Sequence, residues 1–566
     1  MARLFQVVPG LLPLLLLVLS STSKGDTVVV TSTGRVRGKH LMTAAGMVTA
    51  FLGIPYAEPP VGELRFQKPR PHQPWSHILE ATRFGNSCYQ GSLRRSDYEE
   101  ELHPESSLSF SEDCLFLNVW VPHPQPSVPA PVLVWVHGGD FLSGTGSFDR
   151  SFLAAHENII VASMNYRLGA LGFLSLPPAA PGNVGLWDQH LALSWLRDNM
   201  AAFGGDPSRL TLGGQSAGGA SVGFHLLSPA SQPIFARATL QSGAAICPWA
   251  WVRPEEAQTR GRTLGQILGC VEDDDRAVVT CLQAKGPWEL VQKLPILKQK
   301  ALLDVPFVPT TDGDFLPDDP QRLLQAGHFP IKPVLTGFTP DEGTLFLSDN
   351  APGFSLENDS LINYPQLLEG LRLVAPGAPA GTLEAAAALY TQQEQGQEQC
   401  RHALVKASGD CLFLCLVAAV ASRMAEAGCP VFAYYFTHRP SFISAPDWTG
   451  VPHCAELPYM SGDPLSGAGG NFTFTEDEVI LSQRVMRYWS QFVRTGSPDG
   501  EGGSQWPAFT GQNFFHISPD PVEAQMSPTV HCSFWEQLAR LRSTGKLGAL
   551  TQQFKVDSPL DELAED

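Results

Sequence analysis

Residues 210–219 read Leu210-Thr211-Leu212-Gly213-Gly214-Gln215-Ser216-Ala217-Gly218-Gly219, and this stretch decides the fold. A short apolar run ends in Gly214-x-Ser216-x-Gly218. Such a turn needs residues without a bulky Cβ on either side of an exposed serine. It lifts the hydroxyl off the strand, and the helix that follows points its unpaired N–H groups at negative charge forming there. The chain has 52 glycines, so the bare motif arises readily by chance. The strand before it and the helix after it are what give it weight.

The same alternation runs outward from there. Residues 132–136, 159–162, 210–212 and 334–335 read as buried strands. Residues 186–200 are predicted as a helix, with Leu191, Leu193, Trp195, Leu196 and Met200 forming a largely apolar face. Residues 476–493 are predicted as a second, amphipathic helix, and 411–421 as a buried one. This pattern predicts an α/β fold: a parallel or mixed sheet covered by helices. Segments rich in Pro, Gly, Ser or Ala at 122–131, 177–182 and 497–504 read as surface loops. The expected organisation is a leader over 1–24, one catalytic domain over 25–545 and a polar tail over 546–566.

A nucleophilic serine needs a base, and the base an orienting acid. With this turn the chain order is serine, then acid, then histidine. Glu342 stands a few residues past a strand, with Asp341, Asp312 and Asp314 as rivals. The later histidines are His402, His438, His453, His516 and His531. His453 lies in a loop and His438 follows a strand. Residue chemistry alone leaves that choice open.

Composition removes other classes. The chain has 566 residues, 43% hydrophobic and 17% charged, which is neither disordered nor fibrous. Asp and Glu number 56 against 38 Lys and Arg, for a net charge of −18. No nucleic acid partner is expected, because phosphate binding needs a basic surface. Arg3, a Leu-rich run over 11–19 and small residues over 20–23 read as a secretory signal peptide. That run is short for a membrane span and is broken by Pro13. No later stretch is expected to cross a membrane, and soluble, extracellular secretion follows. Asn358 and Asn471 then become glycosylation candidates. Eleven cysteines in an exported chain imply disulfides, with a thiol left over. Spacing typical of metal ligands is absent, so no metal is expected.

Three motifs resemble the type-B carboxylesterase/cholinesterase family, over nearly the whole chain after the leader. They are Glu112-Asp-Cys-Leu-Phe-Leu-Asn-Val-Trp120, Phe203-Gly-Gly-Asp-Pro207 followed by Gly214-Gln-Ser-Ala-Gly218, and Trp448-Thr-Gly-Val-Pro-His453. The resemblance implies the α/β-hydrolase fold, with a large, mostly parallel central sheet covered by helices on both faces. It implies a triad of Ser216, Glu342 and His453, and acyl transfer to a small-molecule ester substrate without a cofactor. It also implies disulfides Cys88–Cys114, Cys270–Cys281 and Cys415–Cys532. Cys247, Cys400, Cys411, Cys429 and Cys454 are left unassigned, Cys454 being expected as a buried thiol.

Two departures from the family pattern bear on function. The implied oxyanion hole uses the N–H groups of Gly139, Asp140 and Ala217, and Asp140 stands where the family usually has glycine. A carboxylate ~6 Å from an oxyanion costs roughly 3 kcal/mol at an effective dielectric near 20. Such a carboxylate is also able to activate water from an unusual direction. Gln215 stands where glutamate is common, and Leu102 lies nearest the place of the tryptophan that attracts choline by cation–π contact. Trp249 and Phe346 are candidate apolar walls of the substrate pocket. Neutral esters are therefore expected over choline esters. The aromatic tail that some cholinesterases use to form tetramers is not visible, so a monomer or weak homodimer is expected. The alternative is an adhesion or binding member of the same fold, with little or no catalysis.

Overall fold

In a computed structural model the described residues are 27–91, 109–297, 301–392, 396–467, 473–500, 505–520 and 527–543. The expected leader, the polar tail, Leu102 and Asn471 lie outside them.

A ten-stranded sheet organises the chain. Its strands are β1 (Lys39–Thr43), β2 (Gly46–Pro55), β3 (Phe116–His123), β4 (Ala130–Val136), β5 (Ile160–Met164), β6 (Gly205–Gln215), β7 (Arg237–Gln241), β8 (Val334–Phe338), β9 (Val431–Phe436) and β10 (Phe515–Ile517). The order across the sheet is β10-β9-β8-β7-β6-β4-β5-β3-β2-β1. From β5 to β10 every neighbouring pair is parallel. β3, β2 and β1 close the other edge in antiparallel pairs.

The four strands expected from short apolar runs all form, each running past at least one expected limit, with β5 starting one residue later than expected, at Ile160. β4, β5 and β8 are buried at every residue. Parallel strands read as continuous apolar runs because helices cover both faces. β4 shows the two faces. Val132, Val134 and Val136 enter one core with Leu193 and Leu196, while Trp135 packs on the other side with Leu481, Val485 and Trp489. The helices responsible are α1 (Val184–Asn199) and α4 (Glu476–Thr495), matching the expected 186–200 and 476–493. Thr475 opens α4 with a capping box in which Glu478 bonds back.

α2 (Ala217–Leu227) follows β6 and is buried along its whole length. The expected buried helix over 411–421 belongs to a longer one, α3 (Gln399–Glu426), broken by a π-helical turn at Asp410–Leu414. α3 amends the expectation about membrane spans: by length and composition it is apolar enough to cross one. In the fold, 78% of its most apolar window is buried, so it is a core helix. The three implied disulfides are all present, and Cys415–Cys532 fastens α3 to the last described helix, Cys532–Ser543.

One buried ion pair ties the sheet to α1. Arg167, just past β5, sets Nε and Nη2 on the two carboxylate oxygens of Asp188 at 2.8 and 2.7 Å, and its backbone N–H donates to the same group at 3.0 Å. The Asp188 side chain is wholly inaccessible. Removing one partner of such a pair leaves an uncompensated charge. Asp188→Ala should therefore destabilise the fold by about 3–5 kcal/mol, read from urea denaturation. A loss under about 1 kcal/mol would show the pair to be dispensable.

Candidate active site

Ser216 sits on the turn between β6 and α2 with φ 57° and ψ −124°. Such a backbone is costly for a residue with a Cβ and persists only where its surroundings enforce it. Here Ser216 donates its N–H to the Gln241 carbonyl of β7 at 2.8 Å, and its carbonyl accepts from Ala220 at 2.9 Å. Gly218 explains the small residue two places on. A Cβ there would lie 2.1 Å from the Val136 carbonyl oxygen at the end of β4.

The loop after β4 carries the implied oxyanion residues. A Cβ on Gly138 would lie 2.7 Å from the Gln215 carbonyl and 3.1 Å from Ser216 Cβ, so this loop abuts the serine turn. Gly139, Asp140 and Phe141 then run with φ of 108°, 55° and 57°. Asp is among the residues that best tolerate this left-handed region. Leu142 and Ser143 both close onto the Gly139 carbonyl at 2.9 Å. His137 stacks on Tyr166 at 4.3 Å, and burial lowers its pKa to about 4, leaving it neutral. The half-buried Asp140 is felt nearby: burial first, then its charge, raises the Tyr166 phenol.

Glu342 and His453 meet. Glu342 is fully buried. Its Oε1 accepts from the Thr339 N–H at 2.8 Å and from Ser242 Oγ at 2.6 Å. Its Oε2 pairs with Nδ1 of His453. Three donors thus hold the carboxylate, which in turn fixes the ring with its proton on Nδ1. Nε2 of His453 receives the side-chain amide of Gln215 at 3.1 Å, and Gln215 is the residue beside Ser216. Burial alone pushes the imidazole pKa down. The Cys454 sulfur and the Glu342 carboxylate outweigh that and hold it well above the usual value. Cys454 is therefore not the buried bystander expected: it is half-buried, carries φ 74° and faces the ring.

The rivals are engaged elsewhere. Asp341 accepts from the Val451 N–H at 2.8 Å and from Lys406 at 2.9 Å. Asp312 accepts from two N–H groups of its own loop, and Asp314 pairs with Lys68. His438 donates to Glu478 at 3.1 Å. That carboxylate is held far below its ordinary pKa: burial pushes it up, but His438, Ser441 and Thr475 bonding to it prevail.

Aromatic rings wall the imidazole. Phe413, in the π-helical turn, lies 4.8 Å from His453 and stacks on Phe346 at 5.5 Å. Phe346 lies 5.8 Å from the same imidazole. Trp249 meets Phe413 at 5.4 Å and donates Nε1 to the Leu412 carbonyl at 2.9 Å. The expected walls, Trp249 and Phe346, are thus joined through a residue that sequence reading missed. The available signal was Asp410, a carboxylate at the edge of an apolar run. Of the glycosylation candidates, Asn358 is exposed.

The model of the carboxylesterase family matches residues 25–535. An acetylcholinesterase of Bungarus fasciatus is 42% identical over 551 residues, covering 94% of this chain and 90% of that protein. A cholinesterase of Mus musculus is 42% identical over 554 residues, covering 95% and 91%.

Phe413 is fully buried, so its loss should leave a cavity against His453. Phe413→Ala should cost about 3–5 kcal/mol in stability, measured by chemical denaturation. A cost below about 1 kcal/mol would mean that the ring does not pack there.

Proposed function

The chain belongs to the carboxylesterase family, and on that footing we propose that it is an exported serine carboxylic-ester hydrolase preferring neutral esters to choline esters. Ser216 is the nucleophile, His453 the base and then the acid, and Glu342 the group that orients the ring. As Ser216 Oγ bonds to the ester carbonyl carbon, its proton passes to Nε2 of His453. The oxyanion is met by the N–H groups of Gly139, Asp140 and Ala217. The ester C–O bond then breaks, and the proton moves from Nε2 to the leaving alkoxide, releasing alcohol. Water repeats the sequence on the acyl-enzyme, yielding the acid and restoring Ser216.

The observation that carries this reading is the pairing of Glu342 with Nδ1 of His453 while Nε2 faces the residue beside Ser216. The preference for neutral esters rests on the uncharged Gln215 amide, where the family commonly has glutamate, and on Leu102 standing nearest the place of the choline-attracting tryptophan. Export rests on the leader and on the three disulfides, which persist in oxidising compartments. A binding role without turnover is favoured by one feature, the acid at 140.

Nitrophenyl esters of graded acyl length test the assignment. Ser216→Ala should lose more than about a thousandfold in rate, and equal rates in the two proteins would dismiss the nucleophile. A choline ester run beside its neutral isostere should be the poorer substrate, and the reverse order would refute the selectivity. Asp140→Gly removes the opposing charge and should raise simple ester hydrolysis by about ten- to a hundredfold. No change, or a fall, would show that the carboxylate does not obstruct the oxyanion.

A further inference from the structure

The nitrogen that must receive the Ser216 proton is already engaged. We propose that Gln215 is a positioning residue: in the neutral, catalytically competent ring its side-chain N–H caps the Nε2 lone pair of His453, opposing the acids that would protonate it, and it yields the lone pair to the Ser216 proton when substrate arrives. This inference rests on the esterase reading above.

The direction of the bond follows from the neighbours. The Glu342 carboxylate accepts and does not donate, so Nδ1 carries the ring proton and Nε2 of the neutral ring is an acceptor. The amide must therefore present its nitrogen, at 3.1 Å. Its oxygen points the other way: a Cβ on Gly138 would lie 3.2 Å from Gln215 Oε1. Both side chains are nearly inaccessible, at 3% for Gln215 and 4% for His453, so bulk water does not compete for the bond.

The groups around the ring explain why an amide suits this place. Glu342 approaches from the loop after β8, and Cys454 and Glu456 from the ring's own loop. Asp341, beside Glu342, is taken up by Lys406 and the Val451 N–H. Phe346 and Phe413 bring no charge, and His137 is turned onto Tyr166. The acids that bear on the ring, Cys454, Glu342 and Glu456, each favour the imidazolium. An N–H donor to Nε2 favours the neutral ring instead. A carboxylate at 215 would only accept, and would trap the charged ring as a third carboxylate.

The pH dependence of kcat/KM for a nitrophenyl ester reads the state of the base in the free enzyme. In Gln215→Glu the acid limb should move up by about one pH unit or more, so that the rate at the wild-type midpoint falls severalfold and returns at higher pH. In Gln215→Met, which keeps the length and drops the donor, the limb should move up by roughly 0.5–1 pH unit. Limbs unmoved in both variants, with only the plateau altered, would overturn the proposal and leave Gln215 a packing residue. Should Gln215→Glu fail to fold, the Met variant decides alone. The ring protons of His453, titrated by NMR in Ser216→Ala protein with and without Gln215→Met, report the same shift without turnover. An inactive enzyme would thus count against the esterase reading, while an unmoved ring titration would count against this one.

Discussion

Everything at the site depends on how closely two backbones approach. The end of β4 and the start of α2 touch through the Val136 carbonyl and Gly218, where a Cβ would intrude to 2.1 Å. That contact is open only to glycine. It seats the N-terminus of α2 against the loop that begins at His137, bringing two separate segments together beside Ser216. It also obliges Ser216 to turn with positive φ, because the chain must leave β6 and enter α2 within a single residue. The strain at Ser216 follows from that packing and is held by the bonds to Gln241 and Ala220.

Two buried glutamates behind the turn show how hydrogen bonding sorts charge. Glu342 receives donors from Thr339, Ser242 and His453. Glu456 receives one amide, from Gln241 at 3.0 Å, and its pKa is raised by burial and then by Glu342 itself. Burial first, then the neighbouring Glu342, disfavours the ionised form of Glu456. The His453 ring is oriented instead by Glu342, which holds its Nδ1.

Much of this was legible in the sequence, for identifiable reasons. β4, β5 and β8 announced themselves because strands buried on both faces read as apolar runs, and β6 did so through its buried second half, from Leu210 on. The serine turn announced itself through glycines whose absence of Cβ is a local requirement. The choice between His438 and His453, or between Asp341 and Glu342, was not local. It depends on which side chain a β-strand 100 residues away meets, and the family resemblance supplied what spacing did not. Phe413 escaped because the π-helical turn shifts the helical register, and no periodicity of the surrounding residues encodes the shift. Cys454 was misjudged because a thiol beside a loop histidine has no pattern that reveals which way it turns.

The two departures from the family pattern act on opposite ends of one charge separation. During acylation the imidazole becomes positive and the carbonyl oxygen negative. A glutamate at 215 would stand near the positive end, and a glycine at 140 would leave the negative end to its donors alone. This chain has a neutral amide at the first place and a carboxylate at the second. Both changes weigh against the separated charges, the amide by favouring the neutral imidazole and the carboxylate by opposing the oxyanion. Their cost therefore falls on the transition state, where only differential stabilisation alters the rate. Under the proposed mechanism this pair of residues is expected to slow turnover rather than to weaken binding of a neutral ester.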